Sequence, residues 1–352
     1  MFLQRSEAAK AFHLVRESTR NNVATVFWAT GALDGKTQTI EIPVDSVTER
    51  ITFTFSMDTK GSKLTLTEPS GATITEGSAG AEVTELNCGR ILNCGRIMTV
   101  SSPEVGNWRA EIAGTGRFWM EAEAQSDIHF VSVEFVKEGG RPGNDGLFRI
   151  QGQPVAGRPA TLEVLLSATA TKTTDFRLVT ERGETIQKLQ MRTVNSDRAT
   201  LEFAGSLELP KAPFRVAVTG RDANGQRYQR FFGALFHAES VEVSPKLDFD
   251  ELLAGSTKRA TFTVHNIGSP RTFRIVVTDA RQLVWKVEPR ELSLGMDESG
   301  IVQVDLTVPA ETAPGVEDDV VVVATSTAGP GTSNSSVAHF SVSPSNADHN
   351  PR

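Results

Sequence analysis

The chain begins with one segment of helical period and then turns to period two for the rest of its length. Ala8, Ala11, Phe12 and Val15 fall at helical spacing with charged residues between them, and Asn21-Asn22 is a natural stop. This pattern predicts a short helix, followed by an apolar β-type run, VATVFWA, at residues 23–29. From about residue 38, apolar and polar residues alternate in QTIEIPV, ERITFTFSM and SKLTLTE, and again in GNWRAEIAG, RFWMEAEAQ and HFVSVEFV. Alternation turns one face of a strand to a core and the other to water. Turn residues punctuate the series, DTKGS at 58–62 and PSG at 69–71.

The Gly- and Pro-rich stretch EGGRPGNDG, residues 138–146, reads as a linker. A second set of strands follows in LFRIQGQ, ATLEVLLSA, TDFRLVTE, ATLEFAGSL and PFRVAVTG, with RDANGQ at 221–226 as a turn. A third set contains RATFTVHNIG, TFRIVVTDA, GIVQVDLTVP, DDVVVVATS and AHFSVSP. Short strands at this spacing predict an all-β chain of tandem β-sandwiches. The expected modules span residues 31–145, 146–243 and 244–345, with 346–352 as a polar tail. Each has about 100 residues, enough for its own core.

Composition narrows the role. The 352 residues are 39% hydrophobic and 22% charged, as in water-soluble globular domains, and carry a formal charge of −7. No basic field is present to attract nucleic acid. No apolar run approaches the roughly 18 residues of a membrane span. Residues 1–20 carry Arg5, Glu7, Lys10, Arg16 and Glu17, which is not a signal-peptide pattern. The chain is therefore expected to be either intracellular or truncated at its N-terminus.

The two cysteines, Cys88 and Cys94, lie in a tandem repeat, LNCGRILNCGRI, at residues 86–97. A structural zinc site needs four ligands, and thioredoxin-like chemistry needs C-x-x-C. The spacing here is C-x5-C with no histidine nearby, so a short duplication is the better reading. Six is even, so the insertion leaves every following side chain on its original face. In one straight strand the cysteines would lie about 20 Å apart, so a disulfide, which needs Cα atoms within about 7 Å, would require a tight loop around Gly89 or Gly95. Deleting residues 92–97 is expected to leave a protein that folds at least as well.

No G-x-S-x-G elbow, Walker loop, H-E-x-x-H or G-x-G-x-x-G occurs. The histidines at 13, 129, 237, 265, 339 and 349 are scattered, and His129 and His265 in strand patterns read as satisfied structural residues. Asp248 and Asp250 alternate with Leu247 and Phe249, a solvated strand face with too few oxygens for calcium. Asp222, Asn224 and Gly225 read as a turn, because the glutamate of a calcium loop is missing. Trp28, Trp108, Trp119 and Trp285 are candidate sugar platforms, although all sit in strand-like runs where a large ring usually packs inward. Asn334-Ser335-Ser336 is the one N-x-[ST] sequon. It lies in a Gly/Ser/Thr-rich stretch read as a loop, so Asn334 is the expected glycosylation site of a secreted chain.

The order of these motifs resembles the region after the von Willebrand A domain in the family of hemicentins and von Willebrand factor A domain-containing protein 7. TIEIPVDSVTERITFTFS is similar to its strand pair after the A domain, LTLTEPSG to a strand followed by a turn, and SPEVGNW to its P-x-x-G-x-W segment. TGRFWMEAEAQSDIHFVSVEF is similar to the strands after it, and PVAGRPATLEVLLS and PFRVAVTGRDANGQRYQRF to the start and end of the next immunoglobulin-like unit. The resemblance covers about residues 10–243. FTVHNIG and VPAETAPGVEDDVVVVAT resemble further immunoglobulin-like modules, with residues 317–319 in place of the usual aromatic.

The resemblance implies a galactose-binding-like first sandwich and immunoglobulin-like second and third ones. It implies a non-enzymatic extracellular protein that contacts matrix or cell-surface proteins and has no cofactor. The D-x-S-x-S metal site of the A domain is not in this chain. Residues 1–30 would then be the last helix and strand of a truncated A domain. On that view VATVFWA lacks its sheet, and removing residues 1–30 should not lower the melting temperature of the rest. The rival expectation is a carbohydrate-binding accessory module, for which glycans would be the partners.

Overall fold

The computed structural model describes residues 23–343 except 60–62, 89–90, 140–145, 151, 168–172, 197–199, 248, 250 and 329–330. The helix expected at 8–15, the tail at 346–352, and Asp248 and Asp250 lie outside the described residues. Every regular element among the described residues is a β-strand. They group into two compact units. The first takes residues up to 136 together with 161–207 and 212–236. The second takes 137–160, 208–211 and the chain from 237 on.

The first unit is built around a nine-stranded sheet. Its order is Thr185–Leu189, Thr173–Val179, Arg215–Arg221, Arg227–Phe231, Val23–Asp34, Thr115–Ser126, Thr48–Met57, Ile91–Ser101 and Ala81–Cys88. A three-stranded sheet, Gln38–Val44, Gly106–Ala113 and Lys63–Thr67, forms a second layer. Between the layers lies a core of Ile42, Leu66, Trp108 and Ile112 from the small sheet and Phe53, Phe55, Met98 and Met120 from the large one. The Phe53 and Trp108 rings stack at 5.5 Å. Strands of a second sheet, His129–Gly139, Pro159–Ser167, Leu201–Glu208 and Arg192–Ser196, carry the buried Leu162, Val164 and Leu166. Phe135, Phe214, Phe232 and Phe236 form a chain of ring contacts in this part of the unit, at 5.3–6.4 Å.

One expectation is corrected here. The run at 23–29 does not lack a sheet. It begins the strand Val23–Asp34, which pairs antiparallel with Thr115–Ser126 over almost its whole length and meets Arg227–Phe231 at Thr25↔Phe231. The strand is apolar without alternation because both of its faces are covered. Val26, Ala29 and Leu33 join the main core, while Trp28 packs on Trp119 and Leu86.

The second unit is a two-sheet sandwich. One sheet runs Val241–Lys246, Thr257–Asn266, Glu298–Thr307 and Val284–Glu288. The other runs Glu251–Leu253, Ser333–Ser343, Glu317–Ser326, Arg271–Thr278 and Glu291–Leu294. Alternate residues of both meet in one core, with Phe262, Val264, Val302 and Val304 facing Phe273, Val320, Val322 and Phe340. The all-β sandwich class expected from alternation is the class observed.

Candidate functional site

The fully buried Arg230, on the strand Arg227–Phe231, is the centre of a polar knot in the first unit. Its Nε donates to Ile128 O at 2.6 Å, and its Nη1 to Gln229 O at 2.8 Å. Its Nη2 donates to Asp45 Oδ2 and Ser126 Oγ, both at 2.7 Å. Asp45 is also fully buried, and its Oδ1 takes the Thr48 hydroxyl at 3.1 Å and the Val47 amide at 3.3 Å. Beside this knot, Asp222 Oδ2 accepts the amide and hydroxyl of Ser46, and Oδ1 the amides of Asn224 and Gln226. Burial alone would raise the pKa of Asp222. The donors from Ser46, Gln226 and Asn224 outweigh it and hold the carboxyl below its ordinary value. Four converging donors make this an anion's environment, and the turn reading of residues 221–226 holds, with Gly225 at φ +82°.

The repeat forms neither a loop nor one long strand. Residues 86–88 of the first copy end the strand Ala81–Cys88, while Ile91, the last residue of that copy, opens the strand Ile91–Ser101 that carries the whole second copy, and the two strands pair antiparallel. Leu86 lies opposite Gly95 and Cys88 opposite Ile91. Gly95 is required where it stands, since a Cβ would meet Phe55 O at 2.4 Å. Leu86 packs against Trp28 and Trp119, whose rings meet edge to face at 5.2 Å.

The packing of Leu86 changes the expected result of deleting residues 92–97. The first copy can replace the second residue for residue, with a glycine again at the Gly95 position. The edge arm, however, loses Leu86 from the tryptophan pair. Burial of a leucine is worth about 2 kcal/mol. The variant should fold with a melting point lowered by roughly 4–8 °C, read by circular dichroism. An unchanged or raised melting point would restore the expectation that the second copy is dispensable.

The other candidates separate clearly. Trp28, Trp108 and Trp119 are buried, so none of them can offer a ring face to a sugar. Trp285 is 72% exposed, at an irregularity in the edge strand Val284–Glu288. Met296 at 69% and Ile301 at 54% are the other most exposed apolar residues of this unit. His129 Nδ1 lies 2.7 Å from Ser167 Oγ, which is also 2.9 Å from Asp127 O. A hydroxyl proton given to that carbonyl leaves the histidine as donor, the reverse of nucleophile activation. His265 bridges Arg158 at 3.0 Å and Asp297 at 2.8 Å, and His339 meets Asp319 at 2.5 Å. Among the described residues, no group of three or more His, Cys, Asp or Glu is placed to hold a metal ion.

Asn334 is on the strand Ser333–Ser343 rather than in a loop, and it is only 5% exposed. Its Nδ2 donates to Val241 O at 2.9 Å and Gln153 O at 3.1 Å, and its Oδ1 accepts from Gln153 N at 2.8 Å and Ser335 N at 2.8 Å. The side chain clasps residue 153 as a neighbouring strand would. Arg158 reinforces the same segment through Glu242 at 2.5 Å.

Residues 245–344 match the protein family described as the VWA7 Ig-like domain. This is the third expected module, not the stretch whose motif order carried the resemblance. Comparison with curated proteins finds no match. Among solved structures, the chain is similar to alpha-2-macroglobulin of Escherichia coli activated by porcine elastase, at 11% identity and a TM-score of 0.28, over 88% of this chain and 31% of that one. It is similar to dimeric latent PorU of Porphyromonas gingivalis at 10% identity and a TM-score of 0.23, over 92% of this chain and 34% of the other. It is also similar to the mouse nectin-like molecule 4 ectodomain at 12% identity and a TM-score of 0.21, over 90% and 97%. The chain spans about a third of the length of the first two. No helix among the described residues is long and apolar enough to cross a membrane.

Proposed function

We propose that this chain is a non-enzymatic stretch of an extracellular structural or adhesion protein, hemicentin-like in organisation, that acts through contacts with matrix or cell-surface proteins. The observation that carries this reading is the family match on residues 245–344, which falls on a complete two-sheet sandwich. The motif order over about 10–243 resembles the same kind of parent protein, so two separate segments point the same way. The proposed modules remain 31–145, 146–243 and 244–345, except that the strand Val23–Asp34 belongs to the sheet of the first rather than to an A domain. Asn334 would carry a glycan only if modified before its amide closes on Gln153 and Val241.

Trp285 is the residue best placed to anchor a protein contact, because exposed tryptophans dominate interface energies. The full chain, secreted behind a leader, should bind cell-derived matrix. Trp285→Ser should lower the retained amount roughly tenfold without changing the melting point. Failure of the wild-type chain to be retained would count against the reading. The carbohydrate reading survives on the same residue, since Trp285 alone among the four tryptophans is exposed. Specific sugar binding on a glycan array, lost in Trp285→Ser, would favour it instead.

A further inference from the structure

Asp318 occupies a position built for an apolar side chain. On the strand Glu317–Ser326 it alternates inward with Val320, Val322 and Ala324, and it is 4% exposed. Phe340 lies opposite it in register. Its Oδ1 accepts the amides of Ala280 and Arg281, both at 3.2 Å. Its Oδ2 is buried without a well-formed hydrogen bond, and the nearby Asp319 amide eases the charge only in part. The nearby acidic group is Asp279, whose Oδ2 accepts the amides of Leu283 and of Val284, the latter at 3.2 Å. Asp279 directly precedes the two amides that Asp318 takes, so the two carboxylates share one turn and their charges oppose each other; with both ionised, neither can donate a hydrogen bond to the other.

We propose that Asp279 and Asp318 share one proton as a carboxylic acid–carboxylate pair, and that this unit grows more stable as pH falls from neutral toward the ordinary carboxylate range. The proton comes from solvent and binds the pair, with the unmatched Oδ2 of Asp318 as its seat, so the pair goes from two negative charges to one. A divalent cation fits this place poorly. Hard cations take six or more oxygens, whereas four backbone N–H groups point at this pair. The charged groups around it do not replace the proton. Arg281 contributes its amide and has an exposed side chain, Glu317 is exposed, and Asp319 pairs with His339.

The direction follows from linkage. Burial first, and then the charge of Asp279, hold the Asp318 carboxyl above its ordinary value of 3.8. A raised carboxyl contributes stability that is complete below the unfolded pKa and is lost as pH rises through the folded one. Asp305 of the same unit runs the other way, lowered by its hydrogen bonds to Arg259, but its window lies below 3.8. Glu163 in the first unit is also raised, by burial and then by Glu202 and Glu134, so the readout must be local.

Hydrogen exchange of the full chain, followed by mass spectrometry on peptides from 317–326 and 333–343, provides that readout. Corrected for intrinsic rates, wild-type protection should rise severalfold between pH 7 and pH 5, at most tenfold per pH unit for one proton. Asp318→Asn, whose amide supplies the missing donor, should show a flat profile and exceed wild type at pH 7. Asp279→Asn should flatten the profile as well and covers the case in which the first variant does not fold. Parallel profiles in wild type and variants would overturn the proposal. So would calcium-dependent protection of wild type that both variants lose, because the pair would then be a cation site.

Discussion

Deleting residues 1–30 should unfold the first unit. The cut removes eight of the twelve residues of Val23–Asp34 and leaves the nine-stranded sheet without the strand between Thr115–Ser126 and Arg227–Phe231. Four buried apolar side chains, Ala24, Val26, Trp28 and Ala29, go with it. So do the bond from Trp28 Nε1 to Glu181 O at 2.8 Å, the Arg215 guanidinium 4.5 Å above the Trp28 ring, and the bond from Gln229 Nε2 to Val26 O. Each large apolar side chain is worth about 1.5–3 kcal/mol, and the exposed strand edges add unpaired backbone groups. The sum is comparable with the roughly 5–15 kcal/mol that holds a whole domain together. Scanning calorimetry should show the transition of this unit lost. Truncation after residue 22 is the matched control that keeps the strand entire. A truncation at 30 that melts like the parent would restore the expectation of a loosely attached segment.

That expectation failed for a physical reason. Alternation records a strand with one wet face, and QTIEIPV or HFVSVEFV could be placed as strands from their own residues. Val23–Asp34 is covered on both faces and shows no alternation, so its apolar run can be placed in more than one fold. Its partners lie about 90 and 200 residues away, and no local rule names them. The small polar residues of SNSSV concealed the first half of the strand read at AHFSVSP. Asn334 and Ser336 face inward in step with Ala338, Phe340 and Val342, yet read alone they look like a loop with a sequon. Asp318 falls in DDVVVVATS, read as a strand, but nothing in its own neighbourhood says that its carboxylate is buried. Its burial depends on the turn that begins at Asp279, far off in the chain. The candidate chemistry was legible where it was local, as in the turn at 221–226, and hidden where it depended on tertiary pairing.

Arg230 is the sharpest case of such pairing, and its replacement should be the most costly single substitution in the first unit. In RYQRF, Arg230 resembles the exposed Arg227 three residues before it, and the partner that sets it apart, Asp45, is 185 positions away. Arg230→Ala leaves the Asp45 carboxylate, the Ser126 hydroxyl and the Ile128 carbonyl buried without the donor they now share. Breaking one side of a buried pair costs about 3–5 kcal/mol, or roughly 8–16 °C in melting temperature. Asp45→Ala should cost about as much, since it strands a guanidinium with no water to solvate it. Lysine at 230 should not rescue, because one ammonium cannot match the fork that reaches Ile128, Gln229, Asp45 and Ser126 together. The decisive variant is the double one, Arg230→Ala with Asp45→Ala. With neither charge left in the interior, it should be more stable than the sum of the single losses allows, by about 2 kcal/mol or more. Urea melts of the four proteins measure that coupling. Additive losses would mean that the two groups act separately, one through packing under Tyr228 and the other through the turn at Val47 and Thr48, and that the ion pair itself contributes nothing.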